Sequence, residues 1–298
     1  MKKLILFFAI NCLIFSLTQA QDVVFSVILN KGENSFGQLN SFQPILIGSS
    51  LHKNDILNVS ESGYIALVHE ETGASLELKS KGRYSIAELE QDVKDQNSTV
   101  LAKYGKFLMS KLNPEDLGNQ NLNVTGAVER GNISMIRVNL PKVIDVYGSH
   151  IYISWHQVDD VQKYTLTVKD KLDDVIVEKQ VTGMHYFLDL EKDGLADEKL
   201  IILNVRAREI EDLRSPDFGI KRLSEKERKS IGKEYAHIKK AVNAETALDK
   251  LFIASFFEEN QLLGDAITYY NEALEISPDP DGFSLLYDNF LARNGLKN

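Results

Sequence analysis

Apolar and polar positions alternate in two parts of the chain and recur at helical spacing in the parts that follow. From Asp22 to Ile86 the period is two, which predicts half-buried antiparallel β-strands. Turn sequences that contain Gly separate these strands, at 31–34, 61–63 and 70–73. We therefore predict a small all-β module. Its alternating apolar positions include Val23, Phe25, Val27, Leu29, Ile65, Leu67, Leu76 and Leu78.

The pattern changes to helical spacing after this module. Apolar residues recur at intervals of three, four and seven from Ile86 to Leu112, with an interruption near Asn97, which predicts helices with one apolar stripe packed on the sheet. Gly118 to Asn132 is rich in Asn and Gly and has few large apolar residues, which favours a linker. We place the first domain at 21–112 and the linker at 113–138.

Alternation returns between Leu140 and Glu209, where five short apolar-alternating segments are separated by polar turns. This pattern is typical of a β-sandwich, which we place at 139–210. Trp155 alternates with Ile151 and Ile153 on one face of a predicted strand. We therefore expect it in the core, although a sugar-binding position is the alternative.

The remainder of the chain is predicted to be helical. The segment 211–223 breaks the strand pattern at Ser215-Pro216 and is predicted to be a second linker. Ser224 and Glu227 fit a capping box at the start of a charged helix that runs to about Asn243. The helical region spans 224–298.

Turn residues and short apolar runs mark the first module at Gly48, Leu51, Asp55-Ile56, Gly63, Tyr64 to Leu67 and Gly73 to Leu78. With these residues the module resembles the FecR-like domain, the periplasmic sensor fold of iron-uptake regulation. Where the family usually has Gly-Asp, this chain has Asn54-Asp55, and Asn tolerates a left-handed turn almost as well. The resemblance implies an all-β fold and no catalytic residue.

The second β region resembles a fibronectin type III domain, or more generally an immunoglobulin-like sandwich. Trp155, Tyr164 at the opening of the next strand and the alternating stretch Leu203 to Ala207 carry this resemblance. In such domains the Trp and the Tyr are core residues.

Small, aromatic and helix-stopping residues stand between Ala247 and Pro280 at Ala254, Ala266, Ala273, Phe257, Tyr270 and Pro278. With these residues the segment resembles one tetratricopeptide repeat. Lys250 stands where the usual early Trp would be. A lone repeat cannot bury its own face, so we expect the preceding helix and 283–294 to pack beside it.

The start of the chain has the pattern of a signal peptide. Lys2 and Lys3 precede an apolar run from Leu4 to Leu17, and Thr18-Gln19-Ala20 is a small-x-small cleavage site. The run is shorter than the ~20 residues that span a bilayer. We predict removal of 1–20 and export to the periplasm or the cell surface of a bacterium. The single cysteine, Cys12, lies within this run, so we expect no thiol or disulfide in the exported form.

Charge and motifs narrow the possible chemistry. The formal net charge is −9, which disfavours nucleic acid and anionic lipid, and no basic cluster stands out along the sequence. The six histidines are scattered, and Ser230 with Lys233 lacks the partner motifs of penicillin-recognising enzymes. We predict no catalytic residue, no metal and no cofactor. Acidic pairs occur throughout the chain, so a carboxylate pair for glycoside cleavage remains an alternative, although nothing selects one pair over another.

The leading hypothesis is a non-enzymatic interaction or scaffold protein that binds another protein or a cell-envelope component. The alternative is a periplasmic sensor related to FecR-type signalling. Sensors of that family have a cytoplasmic domain and a membrane helix before the β domain, whereas three residues precede the apolar run here. We therefore expect that output route to be missing.

The tetratricopeptide resemblance suggests a binding face. Ala254 and Phe257 would fix the packing side of the first repeat helix, so the neighbouring side is predicted to line a groove that favours a basic or neutral partner segment. A solvated helix face, or a face covered by the preceding helix, is the alternative. The predicted groove residues are Leu251, Ser255, Glu258 and Glu259.

Overall fold

The computed structural model describes residues 22–39, 41–93, 99–111, 135–242 and 245–297. Within them the chain forms four β-sheets followed by a helical C-terminal part, so the predicted arrangement of β regions before an α region is confirmed. The signal peptide predicted at 1–20 and most of the linker predicted at 113–138 lie outside the described residues.

Two four-stranded antiparallel sheets form the first β region. One has the order β4-β1-β6-β7 and the other β3-β2-β5-β8. A shared apolar cluster joins them and includes Phe25, Leu57 and Ile65. The strands are β1 (Val23–Lys31), β2 (Ser35–Gln38), β3 (Ser41–Pro44), β4 (Ser50–His52), β5 (Ile56–Val59), β6 (Tyr64–His69), β7 (Ser75–Leu78) and β8 (Gly82–Ser85).

The central strands β1 and β6 are buried on both faces, so the prediction that they are half-buried is wrong. All residues of β6 are buried. Ile65 and Leu67 belong to the cluster inside the β region, whereas Tyr64, Ala66 and Val68 belong to the cluster shared with the helices. The uninterrupted apolar run of β6 is the pattern of such a strand.

Two helices follow the first β region, α1 (Ile86–Val93) and α2 (Thr99–Lys111). The apolar residues of α1 join the cluster inside the β region. Helix α2 covers the outer face of β6, because Gly105 lies so close to Val68 that a Cβ there would be 2.9 Å from the valine Cγ1. A side chain at 105 would push the helix off the sheet.

The second β region pairs a five-stranded sheet, β12-β11-β14-β15-β9, with a two-stranded sheet, β10-β13. The five predicted segments correspond to β10 to β14. Trp155 is 2% exposed and packs edge-on against Tyr164, so its predicted burial is confirmed. The strands are β9 (Val143–Val146), β10 (His150–Ser154), β11 (Lys163–Lys169), β12 (Val175–Thr182), β13 (His185–Asp189), β14 (Leu200–Ala207) and β15 (Phe218–Arg222).

Strand β15 lies inside 211–223, the segment predicted to be a linker. It pairs antiparallel with β14 and parallel with β9, and its Phe218 and Ile220 are buried. Gly219 and a nearby Pro hid the strand in the sequence, because both residues are typical of turns.

The C-terminal region consists of α3 (Glu225–Ala241), α4 (Ala247–Glu259), α5 (Leu263–Ile276) and α6 (Pro280–Arg293). The predicted capping box at Ser224 and Glu227 is present. The small residues Ala254, Ala266 and Ala273 are fully buried, as close packing of neighbouring helices requires.

The two β regions and the C-terminal helical region share one continuous apolar core. One apolar cluster runs from Leu29 in β1, through the sandwich and α2, to Leu291 in α6. Gly282 of α6 lies against the Leu29 side chain, since a Cβ at 282 would be 2.9 Å from the leucine Cδ2. The helices therefore hold both β regions in a fixed arrangement.

Candidate functional site

Three of the four residues predicted to line a helical groove lie in the core instead. Leu251 and Ser255 are 0% exposed and Glu258 is 4% exposed. The Arg293 Nε and Nη2 atoms of α6 are each 2.6 Å from a carboxylate oxygen of Glu258, and the Tyr270 hydroxyl donates to the same carboxylate at 3.3 Å. Glu258 therefore holds helices together and offers no surface to a partner.

Glu259, the fourth predicted residue, is only partly exposed. Its carboxylate pairs with Lys103 Nζ of α2 at 3.0 Å. The alternative of a face covered by the preceding helix is right that this side of α4 is covered, but the covering helices are α2 and α6 and not the preceding helix α3. The missed signal is that α4 is apolar nearly all round, with the sequence Leu-Phe-Ile-Ala-Ser-Phe-Phe at 251–257, and such a helix is buried on all sides.

A groove of about 820 Å³ lies elsewhere, on the outer face of the five-stranded sheet. Its floor is built by β12, β11 and β14. Thr167 of β11 stands between Glu178 of β12 and Asn204 of β14 in the strand register. The groove lining is Thr167, Lys169, Glu178, Asn204, Arg206, Ala207, Arg208, Glu209, Glu211, Asp212 and Arg214.

Strand alternation aims these polar side chains outward. Leu203 and Val205 are 0% exposed and face the core, so Asn204 and Arg206, which alternate with them along β14, point to the opposite face. The Asn204 amide nitrogen donates to Asp217 Oδ1 at 2.9 Å, which orders this position of the floor.

The wall of the groove is the segment 208–214, which leaves β14 and returns beside it. The Ala207 N–H donates to the Leu213 carbonyl at 2.9 Å. The Ser215 hydroxyl accepts the Val205 N–H at 2.9 Å, and the Ser215 N–H donates to the Val205 carbonyl at 2.7 Å. These bonds fix the returning chain against the strand.

The return places Arg214 directly beside Arg206 in an isolated antiparallel bridge. Like charges opposite one another on paired strands are destabilising, typically by ~0.2–1 kcal/mol. Neither guanidinium forms an ion pair with any residue that the structure describes. By contrast, Arg208 donates to the Gln180 side chain at 2.8 Å and Lys169 pairs with Asp173 at 2.7 Å.

The groove therefore brings together charged side chains that are dispersed along the sequence. Its lining holds four basic side chains alongside four acidic ones. Of the acidic side chains, the Glu209 carboxylate accepts the Lys163 N–H at 3.1 Å. The groove is thus highly polar and of mixed charge, with two adjacent arginines that form no ion pair among the described residues.

A second cavity, of about 240 Å³, lies where the sandwich meets α3, α4 and α5. The Asp265 carboxylate of α5 accepts the N–H groups of Tyr147 and Gly148 at 2.8 and 2.6 Å. Burial raises the pKa of the Asp265 carboxyl to about 6, although both backbone donors act to lower it. Arg228 of α3 donates to the Tyr147 carbonyl at 2.5 Å. The polar groups around this cavity form hydrogen bonds with one another. We therefore interpret the cavity as a structural junction between the second β region and the helices.

Other motifs do not assemble into a site. Among the residues that the structure describes, no three or more His, Cys, Asp or Glu side chains are grouped so that they could hold a metal ion. Ser230 and Lys233 are exposed on α3 and line neither the groove nor the junction cavity.

No protein-family model matches this chain, and no curated protein is significantly similar to it. Over the described residues, no helix is long and apolar enough to span a membrane.

Proposed function

We propose that this protein is a non-enzymatic binding or scaffold protein of the bacterial envelope, which holds another protein or an envelope component in the groove of its sandwich. The observation that carries the proposal is the adjacent pair Arg206 and Arg214. These two cations lie in a concave surface and form no ion pair with any residue that the structure describes. Such a pair lowers the stability of the free protein slightly and gains a counter-charge when a partner binds.

The rigidity of the groove supports a binding role. Its floor is three hydrogen-bonded strands and its wall is tied to β14 by backbone bonds. A surface that is already ordered loses little conformational entropy when it binds a partner. The continuous core connects this surface to the rest of the protein, as a scaffold requires.

The mixed charge of the groove suits a binding role. Its described lining holds four basic and four acidic side chains, which can pair with the charges of a partner. Location in the periplasm or at the cell surface rests on the signal-peptide pattern at 1–20. The FecR resemblance keeps a sensor role as the alternative proposal.

Photo-crosslinking in the producing bacterium tests the proposal. A benzophenone amino acid replaces Glu178 at the rim of the groove, and in a control protein it replaces Lys226, which is exposed on α3. We expect a discrete adduct from position 178 and none from position 226. Equal adducts from both positions, or adducts from position 226 alone, would count against the groove as the binding surface.

A further inference from the structure

The paired arginines of the groove indicate what kind of group they bind. A guanidinium presents N–H donors in a planar fork that matches the two oxygens of a carboxylate. Arg206 and Arg214 lie side by side on paired backbone segments, and Arg208, just after the end of β14, lines the same groove. This arrangement suits one or two carboxylates at the centre of a partner segment.

The acidic side chains of the same groove restrict the partner further. Glu178 projects from β12, on the far side of the floor from the arginine pair, and Glu209, Glu211 and Asp212 belong to the wall. A uniformly anionic polymer would meet these four carboxylates as well as the arginines and would be repelled by them. A complementary partner carries both signs of charge, which is a property of protein segments.

The described lining contains no aromatic side chain, which also favours a protein segment over a nucleic acid as the partner. Proteins that bind single-stranded nucleic acid stack the bases on aromatic rings, and the lining offers no ring to a base or a sugar. Three neighbouring strands span about 10 Å, which is enough for one extended polypeptide.

We propose that the groove binds an extended segment of a partner protein in which a central carboxylate pair is flanked by basic residues. This inference rests on the proposed binding function and names its partner. The central carboxylates lie against Arg206 and Arg214, and the flanking basic side chains lie against Glu178 on one side and the acidic wall on the other.

The test uses three fluorescein-labelled peptides of equal length, titrated with the protein at low ionic strength, where screening is weak. The first is Lys-Gly-Glu-Gly-Glu-Gly-Lys, whose four charged side chains share one face of an extended chain. The second is its charge-inverted counterpart, Glu-Gly-Lys-Gly-Lys-Gly-Glu, which has the same composition. The third is oligoglutamate. We expect the first peptide to bind about tenfold more tightly than either of the others, because it alone matches the charge order of the groove.

A variant with Arg206→Gln and Arg214→Gln should weaken binding of the first peptide about tenfold. A matched control removes two exposed arginines outside the groove, Arg83→Gln and Arg137→Gln, and should bind within about twofold of the wild type. Near-ultraviolet circular dichroism of both variants shows whether they keep the native fold.

Equal binding of the two lysine-containing peptides, tightest binding of oligoglutamate, or no binding of any peptide would overturn this inference. These outcomes leave the proposed function to the crosslinking experiment, which does not depend on the charge order of the partner. Adducts at position 178 with no peptide preference would keep the binding function and reject the named partner chemistry.

Discussion

Two groups of charged side chains in the described residues differ in whether they have partners of opposite charge. In the helical region Glu258 is buried, and the side chains of Arg293, Tyr270 and Asn294 donate hydrogen bonds to its carboxylate. On the sandwich, Arg206 and Arg214 stand next to each other at the surface and form no ion pair within the described residues. The first arrangement stabilises the fold, because a buried charge needs partners. The second arrangement lowers the stability of the free protein. We therefore infer that this surface gains a counter-charge when a partner binds.

The largest expected effect comes from removing the buried carboxylate. Glu258→Ala leaves the Arg293 guanidinium and the Tyr270 hydroxyl without their acceptor, and we expect the free energy of unfolding to fall by about 3 to 5 kcal/mol. Urea titration followed by circular dichroism measures it. A loss below about 1 kcal/mol would mean that Glu258 behaves as an ordinary surface charge.

Removing Trp155 from the sandwich core should have an effect of similar size. Trp155→Ala creates a cavity beside Tyr164, and we expect a loss of about 3 to 5 kcal/mol. In the wild type, the fluorescence of this single tryptophan should be blue-shifted and protected from acrylamide. A red-shifted and readily quenched tryptophan would contradict its burial beneath the groove-bearing sheet.

The junction residue Asp265 should make stability depend on pH. Because burial raises its pKa in the folded state from 3.8 to about 6, the folded protein binds the proton more tightly than the unfolded chain does. This contribution to stability is present below about pH 4 and is lost as the pH rises through 6.

The variant Asp265→Asn isolates that contribution. Between pH 4 and pH 7 the wild type should lose on the order of 3 kcal/mol of unfolding free energy relative to the variant. Urea titrations of both proteins at the two pH values give the difference. Parallel pH profiles would show that the carboxyl titrates equally in the folded and unfolded states.

Replacing Glu259, which lies on the same helix as Glu258, should change the unfolding free energy less. Its ion pair with Lys103 is partly exposed, and its side chain is 31% accessible to solvent. We expect Glu259→Ala to lower the unfolding free energy by less than about 1 kcal/mol. Should Glu259→Ala match the loss from Glu258→Ala, burial would not be what separates the two carboxylates.

Regular elements with strong patterns were predictable from the sequence. Alternation identified β10 to β14 and the burial of Trp155, and the spacing of Ser224 and Glu227 identified the start of α3. Strand β15 was missed because its five residues include a glycine and gain their strand conformation from neighbours on both sides. Local propensity is weaker than such tertiary pairing.

The site was less predictable than the fold. Alternation along β14 shows that Arg206 faces away from Leu203 and Val205, but the position of Arg214 depends on the return of the segment 208–214. That return is fixed by hydrogen bonds between Val205 and Ser215, which no periodicity reveals. The predicted groove on α4 was wrong for a different reason. The repeat resemblance placed the packing side of the helix at Ala254 and Phe257, but residues on its other sides are buried as well.

The smallest expected effect on stability belongs to the arginine pair. Replacing both residues, Arg206→Gln with Arg214→Gln, removes like-charge repulsion, and we expect the unfolding free energy to stay the same or rise by up to about 1 kcal/mol. A large loss of stability would show that the pair has a structural role.

The central claim is that the same arginine pair is needed for binding, and one measurement tests it most directly. A benzophenone amino acid at Thr167, on the groove floor, is used to crosslink partners in the producing bacterium. The adduct yield is compared between otherwise wild-type protein and the variant that also carries Arg206→Gln and Arg214→Gln. We predict that the adduct falls to background in the variant while the protein accumulates to normal levels. An unchanged adduct yield would contradict the account.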